Sequence, residues 1–310
     1  MDFKQLRAFL TIAETGNVTR AAEVLHVVQP AVSRQLRLLE EDVGTALFER
    51  ERHGMALTEA GKALAGYARR AMLELDRARA EIAGAENGIG GLVTIGLLPS
   101  TCELLSSPLV KAVAASYPGI RVRIAMGYAG TLQQWLESGE VDAALLYRAE
   151  PSPTIQTRPL VEEDLWLVGL PSAKLRLDRP VPLASLEGKP LILPSAPHGI
   201  RALVDHACAV AGVELNVVVE TNSMTVQRSL AAGGHGLTIL PPIAVADDVA
   251  RKHLSAAPVS RPKITRTIML GISSNRAQSR AVRLVVDLLV DCISSAVKRG
   301  AWSQGRWLNR

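Results

Sequence analysis

Residues 17–58 constrain the fold of this chain more than any other stretch. Asn17 is a good helix N-cap, and the apolar residues after it predict a short helix with one close-packing face. The turn 26–28 leads into a second helix that begins near Gln29. Apolar residues of this second helix recur at i, i+4 and i+7, at Val32, Leu36 and Leu39. Two short helices joined by a tight turn predict a helix-turn-helix.

The other face of the second helix carries polar and basic side chains that can reach base edges and phosphates. The candidate DNA-binding residues on this helix are Gln29, Pro30, Ser33, Arg34 and Arg37. In a helix-turn-helix, the N-terminal residues of the second helix enter the major groove. The sequence therefore predicts a DNA-binding domain over residues 1–58.

Three sequence blocks occur in order in this region, and the rest of the chain continues the pattern. They are RAAEVLHVVQPAVSRQLRLLEEDVG (20–44), LFER (47–50) and LTEAG (57–61). On these blocks the chain resembles the LysR-type transcriptional regulators. The resemblance implies a cytoplasmic regulator without enzymatic activity or cofactor, which binds double-stranded operator DNA as a homodimer and further as a homotetramer. RNA polymerase is a further candidate partner. The family also implies that a bound effector closes two lobes and rearranges the tetramer.

Residues 47–57 are typical of a winged hairpin with His53 and Gly54 at its tip. Arg50, Arg52 and His53 are candidate contacts to a phosphate or to the minor groove. An ordinary solvated turn is the alternative. The family usually has a further basic residue where His53 stands, so the wing contact is expected to be either weaker or shifted to Arg52.

Net charge supports DNA binding only through the placement of the basic residues. The chain carries a net charge of +5, yet residues 1–90 hold 12 Lys and Arg against 13 Asp and Glu. The predicted DNA-binding domain is therefore not basic in sum, and its case rests on where its arginines point.

Composition limits the remaining possibilities. A chain of 310 residues exceeds one ordinary domain, and 48% apolar with 4% aromatic residues predicts aliphatic cores. No apolar run reaches the ~20 residues of a membrane span, and no signal peptide is recognisable. Three cysteines lie far apart without a CxxC motif, which favours a reduced, cytoplasmic protein.

Residues 59–88 predict a long linker helix. Its apolar residues alternate at steps of four and three, at Leu64, Ala68, Ala71, Leu75, Ala78, Ile82 and Ala85. Such a heptad seam predicts a homodimer through this helix, and packing on its own domain is the alternative. The run 87–91 contains three glycines and predicts the end of the helix.

Residues 89–300 predict an α/β domain. Short apolar runs alternate with helical stretches, at 92–98, 122–126, 143–147, 165–169, 191–194, 217–220, 237–241 and 267–271. The pattern favours mostly parallel sheets covered on both faces. The family resemblance implies a two-lobe, periplasmic-binding-protein-like (type 2) effector domain. Lobe I would comprise about 92–161 and 267–297, and lobe II about 162–266. The tail 301–310 has no assignable structure.

Polar residues at the ends of predicted strands mark a candidate effector site. Ser100 and Thr101 follow the strand at 92–98, and Ser195 and His198 follow the strand at 191–194 in the other lobe. Arg148 follows the strand at 143–147. Helix N-termini and hydroxyls at such strand ends suit a small anionic effector, with a carboxylate assisted by Arg148. Tyr128 is the candidate aromatic wall.

Each of these residues also has a purely structural interpretation. The serines suit helix capping, Arg148 a surface ion pair and His198 a hydrogen bond to a loop carbonyl. A metal site at Asp205, His206 and His198 is a weaker alternative, and no phosphate loop, HExxH or nucleophile elbow occurs. The rival functions are a two-lobe small-molecule-binding or catalytic protein without a transcriptional role, and a DNA-packaging protein.

Overall fold

The computed structural model describes residues 1–51, 54–85, 89–147, 151–274 and 279–308. It contains two compact units, unit 1 (Met1–Glu86) and unit 2 (Asn87–Arg310). The boundary falls at the start of the glycine-containing run 87–91. Every helix within the described ranges is too short or too polar to cross a bilayer.

Unit 1 begins with the three predicted helices, α1 (Phe3–Thr15), α2 (Val18–Leu25) and α3 (Gln29–Val43). The predicted N-cap is confirmed, because Asn17 Oδ1 accepts a hydrogen bond from the Thr19 N–H at 2.8 Å. The predicted inner face of α3 is also confirmed, since Val32, Leu36 and Leu39 are all buried. Helix α3 therefore has one face in the core and one face in solvent.

A hairpin follows α3, as predicted. Strands β1 (Phe48–Glu51) and β2 (Gly54–Leu57) pair antiparallel. The Met55 N–H donates to the Gly16 carbonyl at 2.8 Å, which attaches the hairpin to the end of α1. A Cβ at Gly54 would lie 2.4 Å from that same carbonyl oxygen, so only glycine fits there.

The long helix α4 (Glu59–Ala85) is also confirmed, but its apolar seam is divided between two environments. Ala65 and Ala68 are buried in the core of unit 1, with Leu64 packed against it. Ile82, four turns further along, is 72% exposed. The prediction of one continuous dimer seam from Leu64 is therefore wrong for the first turns, because α1 already covers them.

Unit 2 contains two six-stranded sheets. Sheet I has the order β14-β6-β13-β5-β3-β4, and sheet II the order β10-β9-β11-β7-β12-β8. The strands of sheet I are β3 (Gly91–Leu97), β4 (Ile120–Met126), β5 (Ala143–Leu146), β6 (Ile155–Asp164), β13 (Thr265–Ser273) and β14 (Arg306–Trp307). Those of sheet II are β7 (Trp166–Gly169), β8 (Val181–Pro182), β9 (Pro190–Leu193), β10 (Asn216–Glu220), β11 (Leu237–Leu240) and β12 (Ser255–Ser260).

Helices occupy the connections between these strands. Those linked to sheet I are α5 (Pro99–Ser116), α6 (Ala129–Ser138) and α10 (Arg280–Lys298). Those linked to sheet II are α7 (Gly199–Ala211), α8 (Met224–Ala232) and α9 (Ala246–Ala250). Short 3-10 turns lie at Pro171–Ala173, Leu183–Leu186 and Pro242–Ala244. All eight apolar runs singled out in the sequence are strands.

The expectation of mostly parallel sheets is wrong. Strand β3 pairs parallel with β4 and β5, but β13 pairs antiparallel with both β5 and β6. In sheet II, β7 is antiparallel to both of its neighbours. The reason is topological: the chain leaves lobe I along β6 and returns along β13, so these two long strands must run in opposite directions. Strand β6 was not predicted because its first half is mostly exposed and polar.

The C-terminal tail, which the sequence left unassigned, folds back onto β6. Strand β14 pairs antiparallel with β6, with Trp307 opposite Val161. The Leu308 N–H donates to the Leu160 carbonyl at 2.8 Å. Trp302 is only 1% exposed. The tail is therefore an integral edge of sheet I.

Candidate functional site

The solvent face of α3 presents all five residues of this helix that the sequence predicted to contact DNA. Gln29, Pro30, Arg34 and Arg37 are exposed and Ser33 is half-buried. The Gln29 Nε2 amide donates to Ser33 Oγ at 2.9 Å. The two polar side chains are thus held together at the first turn of the helix, where a helix-turn-helix meets base edges.

The charges on this face are not equivalent. Arg37 forms an ion pair with Glu41 at 2.5 Å, one turn further along α3. Arg34 is exposed and has no ion-pair partner among the described residues. Arg34 is therefore the positive charge on α3 that is most available to a nucleic acid.

The start of α3 lacks a side-chain cap. Val28 occupies the N-cap position with extended backbone angles and makes no capping hydrogen bond, and its side chain is 71% exposed. Pro30 lies in the first turn, where its missing N–H is not needed. The helix start thus depends on backbone geometry and on packing of the inner face.

The wing residues can be placed only in part. Arg50 lies in β1, opposite Met55 of β2, and its side chain lies outside the described set. Arg52 and His53 also lie outside the described residues. Their contacts with DNA stay predictions.

A cleft lies between the two lobes of unit 2 and encloses about 330 Å³ of empty space, including its open mouth. We call it the interlobe cleft. Its lining comes from the ends of β3, β5 and β11, from β13, from the residue before α6, and from the first turns of α5, α7 and α8. Ser100, Tyr128 and His198, three of the predicted effector residues, meet there. Strand ends of both lobes thus converge as the sequence suggested.

An ion pair that the sequence analysis missed lies behind this cleft. Arg266 of β13 lines the cleft and lies directly opposite Glu163 of β6 in the strand register. Their side chains are 2% and 0% exposed, and the closest guanidinium–carboxylate distance is 2.6 Å. The same guanidinium donates to Ser100 Oγ at 2.9 Å. Opposite charges on paired strands were the available signal, but β6 had not been recognised as a strand.

His198 is held as a neutral hydrogen-bond donor. Its Nδ1 accepts from the Ile200 N–H at 3.2 Å and so caps α7, which leaves the proton on Nε2. Burial, and secondly the nearby charge of Arg266, lower the pKa of His198 from 6.5 to about 4. The ring also meets Tyr128 edge-on, with centroids 4.8 Å apart. His198 thus both caps α7 and lines the interlobe cleft.

Tyr147 closes the floor of the cleft. Burial raises the pKa of its phenol, so the hydroxyl is protonated at neutral pH. Its ring lies under the Arg266 guanidinium, whose carbon is 5.3 Å from the ring centroid. A Cβ at Gly199 would lie 2.6 Å from this ring, which explains the glycine at the start of α7.

Two predicted effector residues do not line the interlobe cleft. Thr101 is fully buried, and its hydroxyl donates to the Leu98 carbonyl at 2.9 Å. Ser195 donates through its hydroxyl and its backbone N–H to Asn222 Oδ1, both at 3.0 Å. Both side chains are therefore occupied in stabilising local structure. The capping interpretation does not apply to Ser100, because Leu98 is the N-cap residue of α5.

Arg148 lies outside the described residues, so its role stays a prediction. The weaker metal-site alternative gains no support, because no cluster of three His, Cys, Asp or Glu occurs within the part of the chain that the structure describes. Cys102, Cys208 and Cys292 are free thiols. Burial raises the pKa of each of them.

A helix-turn-helix unit and a two-sheet unit with a cleft between its lobes are typical of a DNA-binding protein with a separate small-molecule-binding part. Residues 3–62 match the family described as bacterial regulatory helix-turn-helix protein, lysR family. Residues 86–292 match the LysR substrate binding domain. The chain therefore belongs to the LysR family. It is a DNA-binding transcriptional regulator with an effector-binding domain, not an enzyme.

Full-length relatives support this membership. The HTH-type transcriptional regulator BbuR of Bordetella bronchiseptica is 32% identical over 302 residues, covering 97% of this chain and 93% of the relative. The nitrogen assimilation regulatory protein nac of Klebsiella aerogenes is 30% identical over 295 residues, covering 95% and 96%.

Solved structures show the same fold. CbnR, a LysR family transcriptional regulator, has a TM-score of 0.74 at 25% identity, covering 94% of this chain and 99% of CbnR. Full-length CbnR complexed with its target DNA has a TM-score of 0.73 at 24% identity, covering 96% and 100%.

Proposed function

We propose that this regulator reads its operator through the first turns of α3. Gln29, Ser33 and Arg34 contact base edges in the major groove, and Arg37 contacts a phosphate. Pro30 lies against the DNA in the same turn. Arg50, Arg52 and His53 contact the backbone or the minor groove from the wing. The observation that carries this assignment is the exposed Arg34 without an ion-pair partner among the described residues, on the face opposite Val32 and Leu39.

Gel-shift titrations with DNA upstream of the regulator's own gene test this assignment. We expect Arg34→Ala to lose about 1–3 kcal/mol of discrimination between operator and scrambled DNA. Arg7→Ala is the matched control, because Arg7 is an exposed arginine of α1 in the same unit. A footprint and affinity ratio in Arg34→Ala equal to those of Arg7→Ala would remove Arg34 from the reading face.

We propose that the second half of α4 pairs with the same helix of another chain. Ala71, Ala78 and Ile82 are exposed and Leu75 is half-buried, whereas the first turns of α4 are covered within unit 1. An exposed apolar stripe at heptad spacing is stabilised by a second helix. Two such dimers form the tetramer that the family resemblance implies.

Sedimentation measurements test the pairing. Ile82→Glu places a charge in the stripe and should shift the protein toward monomer. Arg69→Glu changes an exposed residue outside the stripe and should leave the mass unchanged. Equal masses for the two variants would contradict pairing through α4.

We propose that the effector is a small organic carboxylate with an apolar body, bound in the interlobe cleft. Ser100 Oγ accepts from Arg266 and so keeps its own proton for a ligand. His198 offers its Nε2–H, and Leu98, Ile200 and Met224 form apolar walls. Converging donors beside a buried guanidinium favour an anionic group over a neutral one. Arg148 assists at the rim, and Tyr128 forms the aromatic wall.

Calorimetry with benzoate and benzamide tests the charge preference. These two probes share a shape and differ in charge, so benzoate should bind at least about tenfold more tightly. Ser100→Ala should weaken benzoate binding by about 10- to 100-fold, which is the effect of losing a hydrogen bond to a charged group. Ser195→Ala is the control outside the cleft. Equal binding of benzoate and benzamide, repeated across aliphatic carboxylate and amide pairs, would refute an anionic effector.

Effector binding then changes operator occupancy by favouring one arrangement of the oligomer, with a coupling of about 1–3 kcal/mol. A cytoplasmic location and a contact with RNA polymerase belong to the same proposal. Both are expected of a bacterial regulator that binds promoter DNA, because the DNA and the polymerase are in the cytoplasm.

A further inference from the structure

The tail after α10 makes contacts that could not be predicted from its sequence. Trp302 turns back at the end of the helix, where its backbone N–H donates to the Ala296 carbonyl at 3.0 Å. A Cβ at Gly305 would lie 2.5 Å from Trp302 Cδ1, so the glycine lets the chain close tightly over the indole ring. The tail thereby buries the ring, which is only 1% exposed.

The indole points at the ion pair behind the interlobe cleft. Trp302 Nε1–H donates to Glu163 Oε2 at 3.2 Å. The other carboxylate oxygen, Oε1, accepts from Arg266 Nε at 2.7 Å. Arg266 in turn reaches Ser100 Oγ in the cleft lining. A continuous series of buried hydrogen bonds therefore runs from the tail to the effector site.

We infer that the C-terminal tail is a positioning element of the effector site, in which Trp302 fixes Glu163 and through it the guanidinium of Arg266. Trp302 does not line the cleft, so it acts through its neighbours and not by touching a ligand. The binding consequence of this inference rests on the proposed function, whereas the positioning itself does not.

The physical reason lies in the needs of a buried carboxylate. Glu163 is 1% exposed, so water does not satisfy its oxygens and its donors must come from the protein. An indole N–H can donate and cannot accept, so it favours one orientation of the carboxylate plane. With that donor removed, the carboxylate can rotate, and Arg266 loses its fixed position against Ser100.

A direct measurement is hydrogen exchange of the Arg266 Nε–H in full-length protein labelled with ¹⁵N-arginine. The signal is assigned by its loss in Arg266→Lys. Trp302→Phe keeps a ring in the site and deletes the N–H, and we expect exchange at Arg266 Nε to become at least about tenfold faster. The backbone amide of Ile268, a buried residue on the same strand, should keep its rate.

Trp307→Phe is the matched control, because it makes the same chemical change in β14. Gly305→Ala is a second variant that moves the indole without altering it, and it decides the question if Trp302→Phe does not fold. Faster exchange in Trp302→Phe and Gly305→Ala, with Trp307→Phe unchanged, supports the inference. Unchanged exchange at Arg266, or a parallel rise at Ile268 as in simple destabilisation, overturns it.

Benzoate calorimetry on the same variants separates the two proposals. Trp302→Phe should weaken benzoate binding by severalfold relative to Trp307→Phe. If the unmodified protein binds no carboxylate, the proposed effector class fails, and the exchange rates still decide whether the tail positions Arg266.

Discussion

Breaking the Glu163–Arg266 pair should lower the free energy of unfolding far more than breaking an ion pair on the surface. The two side chains are 0% and 2% exposed. Glu163→Ala therefore leaves a buried guanidinium without its counter-ion, which typically costs about 3–5 kcal/mol. The hydrogen bond to Ser100 and the contact with the Tyr147 ring remain, but they offset only a small part of this loss of stability. A cation–π contact contributes about 0.5–2 kcal/mol.

Two further variants make this prediction specific. Glu163→Leu combined with Arg266→Met removes both charges and should lie within about 1–3 kcal/mol of the unmodified protein, because nothing charged stays unpaired and the Trp302 N–H loses its acceptor. Asp178→Ala breaks the Arg176–Asp178 pair, whose side chains are 68% and 66% exposed, and should leave the free energy of unfolding almost unchanged because water screens both charges.

Urea unfolding followed by tryptophan fluorescence is the suitable assay. All four tryptophans of the chain lie in unit 2, so the signal reports on that unit alone. A loss in Glu163→Ala no larger than in Asp178→Ala would refute the reasoning, and so would a double variant as unstable as Glu163→Ala.

Three further predictions concern local features. Val28→Ser supplies the missing cap of α3 and should raise the stability of unit 1 by about 1 kcal/mol, measured as a higher melting temperature of that unit in calorimetry. For His198, the folded pKa of about 4 lies below the ordinary 6.5, so the unfolded chain binds the extra proton between these values. The free energy of unfolding should thus fall by about 1–2 kcal/mol as pH drops from 6.5 to 4, after solvent screening is allowed for. In His198→Asn, the free energy of unfolding from urea titrations should depend less steeply on pH. The three cysteine thiols have raised pKa values and stay mostly protonated at pH 7, so they should react with a disulfide reagent more slowly than free cysteine, and stoichiometric hydrogen peroxide should leave gel shifts unchanged.

The DNA-binding unit could be read from sequence because its determinants are local. The Asn17 cap acts over two or three residues, and the inner face of α3 follows from helical spacing alone. The hairpin was equally readable, since a glycine that allows a positive φ stands at its turn. The different burial of the first and last turns of α4 could not be predicted. A heptad pattern does not show whether the helix's own domain or a partner chain covers each turn.

The interlobe cleft was predicted only where its lining lies at strand ends. Ser100 and His198 come shortly after apolar runs of the two different lobes, so the topology brings both toward the cleft between the lobes. Glu163 and Arg266 are 103 residues apart in sequence, and Glu163 and Trp302 are 139 apart. Their contacts depend on the register of β6 against β13 and on the return of the tail. No short-range pattern encodes either feature.

Met1 and Leu308, the first and last described residues, are each attached to an element that takes part in a proposed site. The terminal amine of Met1 lies 2.6 Å from Asp42 near the end of α3, and Leu308 is hydrogen-bonded to Leu160 in β6. A purification tag before Met1 would therefore remove a charge beside α3, the helix proposed to read DNA. A tag after residue 310 would lie next to β14, which pairs with β6, the strand that carries Glu163. Assays of operator binding are best made with the amino end restored, and assays of effector response with the carboxyl end untagged.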